Sequence, residues 1–542
     1  MREVLQASIA PFLLLIAPFA IFVQHQRHGF SHPEVLLVVL VLAAVALLLG
    51  AGAARSRPFE VIALAALLIL FADIQLDEPG EKNLLIGFVA LCAVLWLVRE
   101  HAARIVSLMM VTMLAFSIVP LRSRAEPAAA ADRARASSDD LPFILHLVLD
   151  EHIGVEGLPA DLTPPTFRRD LESFFVERGF RLFGRAYSEY ASTLWSLAQL
   201  LNLAPNSYTA SLTTSGVSGG TFRLMRSAYF DRLSEQGYAI RVYRPEYLDM
   251  CTDAIPPSAC YTYPANSLEA LEGLEVPSHQ KLAVVTGAYL ARSELHTRAK
   301  RVYRTARQQM VRARVPLPEW DWERGHSEPL ATMPIFDRIA GDLSHARRGE
   351  VVFAHLLMPH YPYVYGADCR PRPPSQWLMR SDASDAGMPG GITNSPDGRA
   401  ARYPRYLDQI RCAQRKISQL LDALPTPLQH DAIVIIQGDH GSRISLVEPI
   451  TTAATSPVPS DYADQFSTLF AVRTPDVEAG YDTRVAPITC LLRSLAHSDF
   501  RSVEQIDGCS MSRVVHFWNG EAPEPRPLPE FWNTSSPSAR RR

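Results

Sequence analysis

The chain has 542 residues, with 53 Lys and Arg set against 56 Asp and Glu for a formal net charge of -3. That balance excludes the strongly basic surface by which a protein binds nucleic acid. The mean hydropathy is close to zero because it averages two unlike regions.

From Ala7 to about Leu121 the sequence is almost uniformly apolar between short polar turns, which is the composition of membrane-crossing helices. Five spans are expected: Ala7–Val23, Val35–Ala51, Val61–Leu76, Leu84–Val98 and Ile105–Val119. The third and fourth are short for a hydrocarbon core of about 30 Å, which leaves four spans as the alternative. The first lacks a small-residue cleavage site and reads as an anchor, not a removed signal peptide. With the amino terminus inside, Arg2, Arg55, Arg57, Arg99 and Arg104 are cytoplasmic and the turn Asp77 to Lys82 lies outside, whereas Arg122 and Arg124 run against the rule. An odd number of spans delivers the rest of the chain to the far side.

Residues 122–140, rich in Ala, Arg and Ser, read as a linker. A globular domain is expected over 141–518, and 519–542 is a Pro-rich, finally basic stretch expected to be disordered. Cys92 falls in a span, and the other six cysteines all lie beyond the membrane region. An even number there fits disulfides in an oxidising compartment such as a periplasm. Six cysteines allow about 15 pairings, of which neighbour pairing (251 with 260, 369 with 412, 490 with 509) is the expectation.

Within the domain, apolar runs alternate with helical patterns. Strands are expected at Phe143–Leu149, Tyr238–Tyr243, Leu282–Val285, Val351–Met358, Ala432–Gln437 and Thr468–Val472. Helices are expected at Thr166–Arg178, Leu194–Leu201, Phe222–Gln236 and Tyr406–Leu424. The alternation predicts an α/β fold, a mostly parallel sheet with helices on both faces, following an N-terminal transmembrane helical bundle.

Two strands end in metal-ligand residues. The run Ile433 to Gln437 closes on Gly438-Asp439-His440-Gly441, and Phe143 to Leu149 closes on Asp150-Glu151-His152. Loops at the carboxyl ends of parallel strands are where α/β proteins place their chemistry. A carboxylate and an imidazole there can hold zinc, or manganese where oxygen ligands dominate. After the first strand, Ser192-Thr193-Leu-Trp-Ser196 reads as a loop entering a helix. A hydroxyl at that helix start is either an N-cap or a nucleophile in positive potential, and local sequence leaves both open. The basic stretch Arg298 to Arg314 has two readings as well, a solvated helix face or a helix lying on anionic lipid.

In this order (acid at a strand end, Thr opening a helix, Pro359-His360, late Gly-Asp-His-Gly) the chain resembles the alkaline phosphatase superfamily. It is most similar to the sulfatase-like membrane branch, the lipoteichoic acid synthases and lipid A phosphoethanolamine transferases. The resemblance implies an alkaline-phosphatase-like domain on the periplasmic side of a bacterial-type inner membrane, held by a multi-pass anchor. It implies Asp150 as acidic ligand with Glu151 a possible second, Thr193 as nucleophile and metal contact, and Asp439 with His440 as the late ligand pair. His360 and Arg443 would stabilise charge on the transferred group, and His355 is expected to be a core histidine, while His152 is left open. Those synthases usually carry Glu where this chain has Asp150.

True sulfatases need a Cys-x-Pro-x-Arg motif. Here Cys369-Arg-Pro-Arg372 has its Arg one place early and follows His360, so classical sulfate-ester chemistry is not expected. The implied activity is transfer of a phospho-head group, phosphoethanolamine or phosphoglycerol, from a phospholipid donor in the membrane. It would use Zn or Mn and pass through a phospho-threonine to a glycan or lipid acceptor in the cell envelope. A hydrolase using water, and a non-catalytic membrane scaffold, are the alternatives.

Overall fold

A computed structural model describes residues 2–76, 80–118, 140–204, 212–214, 222–251, 259–265, 268–313, 315, 328–373, 376, 394–451, 453, 455–503 and 513–532. Five apolar helices come first: α1 (Arg2–His25), α2 (Pro33–Ala53), α3 (Arg57–Gln75), α4 (Glu81–Leu97) and α5 (Ala102–Ile118). The chain continues through β1 (Ile144–Leu149), α6 (Pro165–Val176), β2 (Arg181–Tyr187), α7 (Thr193–Leu201), α8 (Ala228–Glu235), β3 (Ala239–Pro245) and β4 (Ala259–Tyr263). Then come α9 (Ser278–Leu290), α10 (Glu294–Arg312), α11 (Glu328–Leu343), β5 (Glu350–Leu356), α12 (Pro396–Ala423), β6 (Ile433–Gly438), α13 (Pro459–Phe466), β7 (Phe470–Arg473), β8 (Gly480–Pro487) and α14 (Ile488–His497).

Contacts divide the chain into two compact units. The first comprises Met1–Pro127, Asn266–Ser327 and Pro373–Leu378, and the second Ala128–Ala265, Glu328–Arg372 and Met379–Arg542. In the first unit α1 packs along α2, α3 and α5 around a core that includes Leu14, Ala17, Leu64, Val106 and Met110. Leucine, isoleucine and valine side chains on α2, α4 and α5, such as Leu40, Leu48, Ile86, Leu97 and Leu108, stay exposed, as lipid-facing residues do. The later helices α9 and α10 also belong to this unit, packing on α2 and α3 respectively.

Three helices, α1 to α3, are long and apolar enough to cross a membrane. The fourth and fifth expected spans correspond to α4 and α5. Each has 17 residues, roughly 26 Å of helix at 1.5 Å per residue. Together they form a pair bent by 118°, a broken span or a re-entrant turn.

The second unit is built on an eight-stranded sheet in the order β8-β2-β7-β6-β1-β5-β3-β4. All neighbours are parallel except β7, which runs antiparallel to both β6 and β2. The strands β1 and β6 are buried along their whole length, which is why they read as unbroken apolar runs. Val148, Ile240, Phe353, Ile435 and Phe470 from five strands share one core with Leu197 of α7 and Leu491 of α14.

Some local expectations fail. Leu282–Val285 lies inside α9, because four apolar residues do not distinguish a strand from a buried helical stretch. Of Phe222–Gln236, only Ala228–Glu235 is helix, started by the Ser227 hydroxyl accepting from the Phe230 N–H; Phe222–Leu224 is a short strand. The tail is ordered further than expected. Val514–Trp518 pairs with Pro523–Pro527, and Leu528 and Trp532 bury against Phe466 and Phe517. The expected linker falls outside the described residues except for Asp140, and so do residues 533–542.

Cys251 pairs with Cys260 and Cys369 with Cys412, while Cys490 is disulfide-bonded and Cys509 lies outside the described residues. Cys92 is the free thiol among the described residues. Alkylation of the denatured protein without reductant should therefore mark Cys92 and leave Cys251, Cys260, Cys369 and Cys412 unmodified in peptide mass spectra. Label on those four would contradict the pairing.

Candidate active site

Strand β1 lies between β5 and β6, and Leu149 is level with both Leu356 and Gly438. The next residue along each of β1 and β6 is an aspartate, so Asp150 and Asp439 emerge side by side at the carboxyl ends of adjacent strands. From the other neighbour comes His355, level with Val148. The ligand atoms of Asp150, His355 and Asp439 all lie within 4.8 Å of one another, and the three side chains are buried.

Two glycines make this convergence possible by close approach. A Cβ on Gly438 would sit 2.3 Å from the Thr468 hydroxyl and 2.5 Å from the His152 carbonyl oxygen. One on Gly441 would sit 2.3 Å from the Asp464 carbonyl oxygen. Only glycine fits at either position.

The turn after β1 is strained. Glu151 adopts φ +64°, in the left-handed region, and is held there by its N–H donating to Asp439 Oδ1 at 3.2 Å and by the Tyr406 hydroxyl donating to its carbonyl at 2.6 Å. Its carboxylate is thereby engaged apart from the aspartate pair. Oε2 accepts from the Tyr361 N–H at 3.1 Å, and Oε1 lies 3.6 Å from His360 Nε2 and 4.0 Å from the Arg443 guanidinium. Glu151, expected as a possible second acidic ligand, thus lies beside two basic side chains and is not among the grouped Asp150, His355 and Asp439.

Thr193 is the first residue of α7, and Ser192 occupies the N-cap position without a side-chain capping bond. The Thr193 hydroxyl instead lies 3.2 Å from His440 Nε2. His440 Nδ1–H donates to the Gly441 carbonyl at 3.0 Å, which leaves Nε2 as the acceptor. That nitrogen is also 3.4 Å from Asp439 Oδ2 and 3.6 Å from Asp150 Oδ1. Ser196, one turn along α7, donates to the Asp439 carbonyl at 2.5 Å and ties the helix to the strand end.

The 441–443 loop is anchored from behind by Asp464. Its carboxylate takes Arg399 Nε at 2.9 Å, the Ser442 hydroxyl at 3.2 Å and the Tyr403 hydroxyl, and its carbonyl takes the Arg443 N–H at 2.9 Å. The His360 turn is held by Gln409 of α12, whose amide donates to the Pro359 and His360 carbonyls at 3.0 and 2.8 Å.

Electrostatics set the ligand group apart. Burial raises Asp150 well above the usual carboxylate range, and the charge of Asp439 pushes it the same way. Burial would raise Asp439 too, but the His440 and His355 imidazoles hold it below its ordinary value. Burial takes His355 down to about 4, so it is a neutral imidazole near pH 7. Asp150 Oδ1, Asp439 Oδ2 and both ring nitrogens of His355 lack hydrogen-bond partners among the described residues. Buried polar atoms are normally paired, and orphaned oxygens and nitrogens converging on one point fit a divalent cation. Asp150, His355 and Asp439 would hold it, with His440 and Thr193 at its edge.

His355 was expected to be a core histidine and is instead part of the group, a correction that follows from β5 being a direct neighbour of β1. The available signal was a lone imidazole in an otherwise apolar strand, Val351-Val-Phe-Ala-His-Leu. His152 goes the other way: its Nδ1 bonds the Ile153 carbonyl at 2.9 Å, and it is not among the clustered ligands. Beside Ser192 opens a cleft of about 140 Å³, lined among others by Trp195, Arg443, His516 and Trp518.

No protein-family model and no curated protein matches the sequence. Among solved structures, similarity extends to the C-terminal periplasmic domain of EptC from Escherichia coli in complex with Zn, at 13% identity and a TM-score of 0.38 over 72% of this chain and 93% of that one. A phosphonate monoester hydrolase of Agrobacterium radiobacter matches at 12% identity and 0.40, over 66% and 73%. A putative sulfatase from Bacteroides thetaiotaomicron matches at 15% and 0.40, over 71% and 80%.

Two measurements test the ligand group. His355→Ala should weaken zinc binding by about tenfold or more in equilibrium dialysis, whereas His152→Ala, if folded by circular dichroism, should retain it. Equal affinities in both would remove His355 from the group. The second concerns protons: burial and the Asp439 charge favour a proton on Asp150 when no cation is bound, and binding would displace it. Affinity should therefore fall as the pH drops into the raised Asp150 range. Calorimetric titration in two buffers of different ionisation enthalpy reads that release, and zero protons released within that range would contradict it.

Proposed function

We propose that the chain is a membrane-anchored, metal-dependent phosphotransferase of the sulfatase-like membrane branch of the alkaline phosphatase superfamily. In this reading the second unit is extracytoplasmic. It moves a phospho-head group, phosphoethanolamine or phosphoglycerol, from a phospholipid to an acceptor hydroxyl on a glycan or lipid of the cell envelope. The observation that carries the reading is the Thr193 hydroxyl, 3.2 Å from His440 Nε2 at the start of α7 and beside a buried Asp-His-Asp group.

Each residue has a task in it. The first N–H groups of a helix have no intrahelical acceptor, so the start of α7 favours a phosphoryl group over the nucleophile. Thr193 Oγ1 attacks phosphorus, and the bond from phosphorus to the diacylglycerol oxygen breaks. The Thr193 proton has an acceptor in His440 Nε2, and the departing oxygen takes up a proton to leave as the alcohol. An acceptor hydroxyl then attacks the phospho-threonine, the bond from phosphorus to Thr193 Oγ1 breaks, and the acceptor's proton passes by way of His440 Nε2 to Oγ1 to restore the threonine. Arg443 and His360, held together by Glu151, face the same chemistry as counter-charges to the transferred group. What a divalent cation, Zn or Mn, supplies when bound at the Asp150 group is Lewis-acid polarisation and a more acidic threonine hydroxyl.

Incubating the purified full-length protein with phosphatidylethanolamine or phosphatidylglycerol labelled in the head group tests this. Label should become covalently attached to Thr193 in the wild type and be absent from Thr193→Ala, whose turnover should fall by about three orders of magnitude or more. Label passing to a glycan or lipid hydroxyl supports the transferase, and label passing only to water makes the protein a hydrolase with the same site. Wild-type protein that binds metal yet forms no adduct and turns over at the Thr193→Ala rate would end the nucleophile assignment.

A further inference from the structure

The first unit holds a second cluster of ligand-type side chains, far in sequence from the Asp150 group and unrelated to it in composition. In the α1–α2 loop, His28 and His32 stack with ring centroids 4.6 Å apart and planes within 16°. His32 Nε2 lies 2.9 Å from Glu272 Oε1, contributed by the segment that precedes α9 within the same unit. One ligand atom each from His28, His32 and Glu272 lie within 4.8 Å of one another.

Two features distinguish this cluster from ordinary histidine–glutamate hydrogen bonding. His28 is 3% exposed, and its Nδ1 has no hydrogen-bond partner among the described residues, although a polar group so placed is normally paired. Its other ring nitrogen, Nε2, is 3.1 Å from Oε1 of Glu34, itself 1% exposed, at the start of α2. A carboxylate behind an imidazole is the arrangement that orients a metal-binding histidine and fixes its tautomer, with the opposite nitrogen left bare for the ion. Hydrogen bonding alone explains why Nε2 is engaged; it gives no reason for a buried, bare Nδ1 beside a second imidazole and a carboxylate.

We infer that His28, His32 and Glu272 form a site for a divalent transition metal of the zinc class, with Glu34 as the positioning residue behind His28. Two neutral imidazoles and one carboxylate are a zinc donor set that leaves a fourth position to water. The site joins the α1–α2 loop to the segment before α9. The same insert has a second anchor in this unit: Asp73 of α3 accepts from the Ser293 hydroxyl and, at 3.1 Å, from the Glu294 N–H at the start of α10. The ion acts as a clip between the amino-terminal helices and an insert supplied from over 200 residues further along, independent of any chemistry at Thr193.

The test uses the full-length protein in detergent micelles, stripped with chelator, loaded with zinc alone and counted by elemental mass spectrometry after gel filtration. His32 and Glu272 have side chains 30% and 45% exposed, so His32→Gln and Glu272→Gln change the cluster without emptying a buried position. Each should hold one zinc fewer per chain than the wild type, or bind that equivalent at least tenfold more weakly, while Asp439→Asn keeps it. Cobalt substitution gives a second readout: the visible absorption of the Asp439→Asn protein should disappear when His32→Gln is added. An unchanged zinc count in both His32→Gln and Glu272→Gln, or an Asp439→Asn protein that is folded and holds no zinc, would overturn the site. Neither result bears on whether Thr193 forms an adduct.

Discussion

Two carboxylates meeting in a dry place is the constraint from which the rest of the second unit follows. Asp150 and Asp439 are 1% and 0% exposed and are neighbours because β1 and β6 are parallel and in register. With carboxylate oxygens no more than 4.8 Å apart and an effective dielectric of about 20, two such charges repel by roughly 3 kcal/mol or more. Removing each from water costs several kcal/mol more. A domain's whole stability is about 5–15 kcal/mol, so the pair cannot stay doubly ionised without a counter-charge. A proton on Asp150 is one way to neutralise it, and that is the direction in which burial and Asp439 drive Asp150. A divalent cation is the other, and it engages the bare oxygens and the bare imidazole of His355 that a proton leaves unpaired.

Holding those groups apart from water and from each other's hydrogen bonds requires the surrounding backbone to be fixed. The left-handed conformation at Glu151 turns its carboxylate toward Tyr361, His360 and Arg443, and the same residue's N–H steadies Asp439. Arg443 is left-handed as well, at φ +54°, and its N–H is tied to Asp464. Asp464 is itself fully buried against Arg399, so the loop carrying His440 rests on an ion pair with one partner in α12 and the other in α13. The strain at the two turns is offset by contacts from α12 and α13.

The legible part of the fold was the part with strong local signals. Buried parallel strands are continuous apolar runs, so β1, β5 and β6 stood out, and Gly438-Asp439-His440-Gly441 marked its own strand end. His355 did not stand out, because its role depends on which strand lies beside β1, and strand order is not written in any one segment. Leu282–Val285 failed for a related reason: its apolar residues bury against membrane-type helices, a partner that periodicity does not identify. The tail hairpin was hidden by its prolines, which in Pro523–Pro527 sit on a two-stranded ribbon with few ladder bonds to lose. The α4–α5 bend is set by only four residues, Val98 to His101, between two helices each of nearly spanning length.

The site is also divided between a sealed half and an open half, a division that suits the proposed transfer reaction. Asp150, His355 and Asp439 are at most 1% exposed, so the ligand group works at low dielectric, where a bound charge acts most strongly on a neighbouring oxygen. Arg443, by contrast, has a side chain 45% exposed, and it lines the cleft beside Ser192 together with Trp195 and Trp518, whose rings lie 4.9 Å apart. Thr193 stands at the boundary, its hydroxyl directed at His440 and the start of its helix bordering the cleft. In the proposed reaction a donor and then an acceptor would reach the same oxygen from solvent in turn, while the charge activating that oxygen would need to be shielded from water. Under the proposed function, a nucleophile at Thr193, on the rim between a buried ligand group and an open aromatic cleft, would meet both requirements, and a fully enclosed pocket would meet only the second.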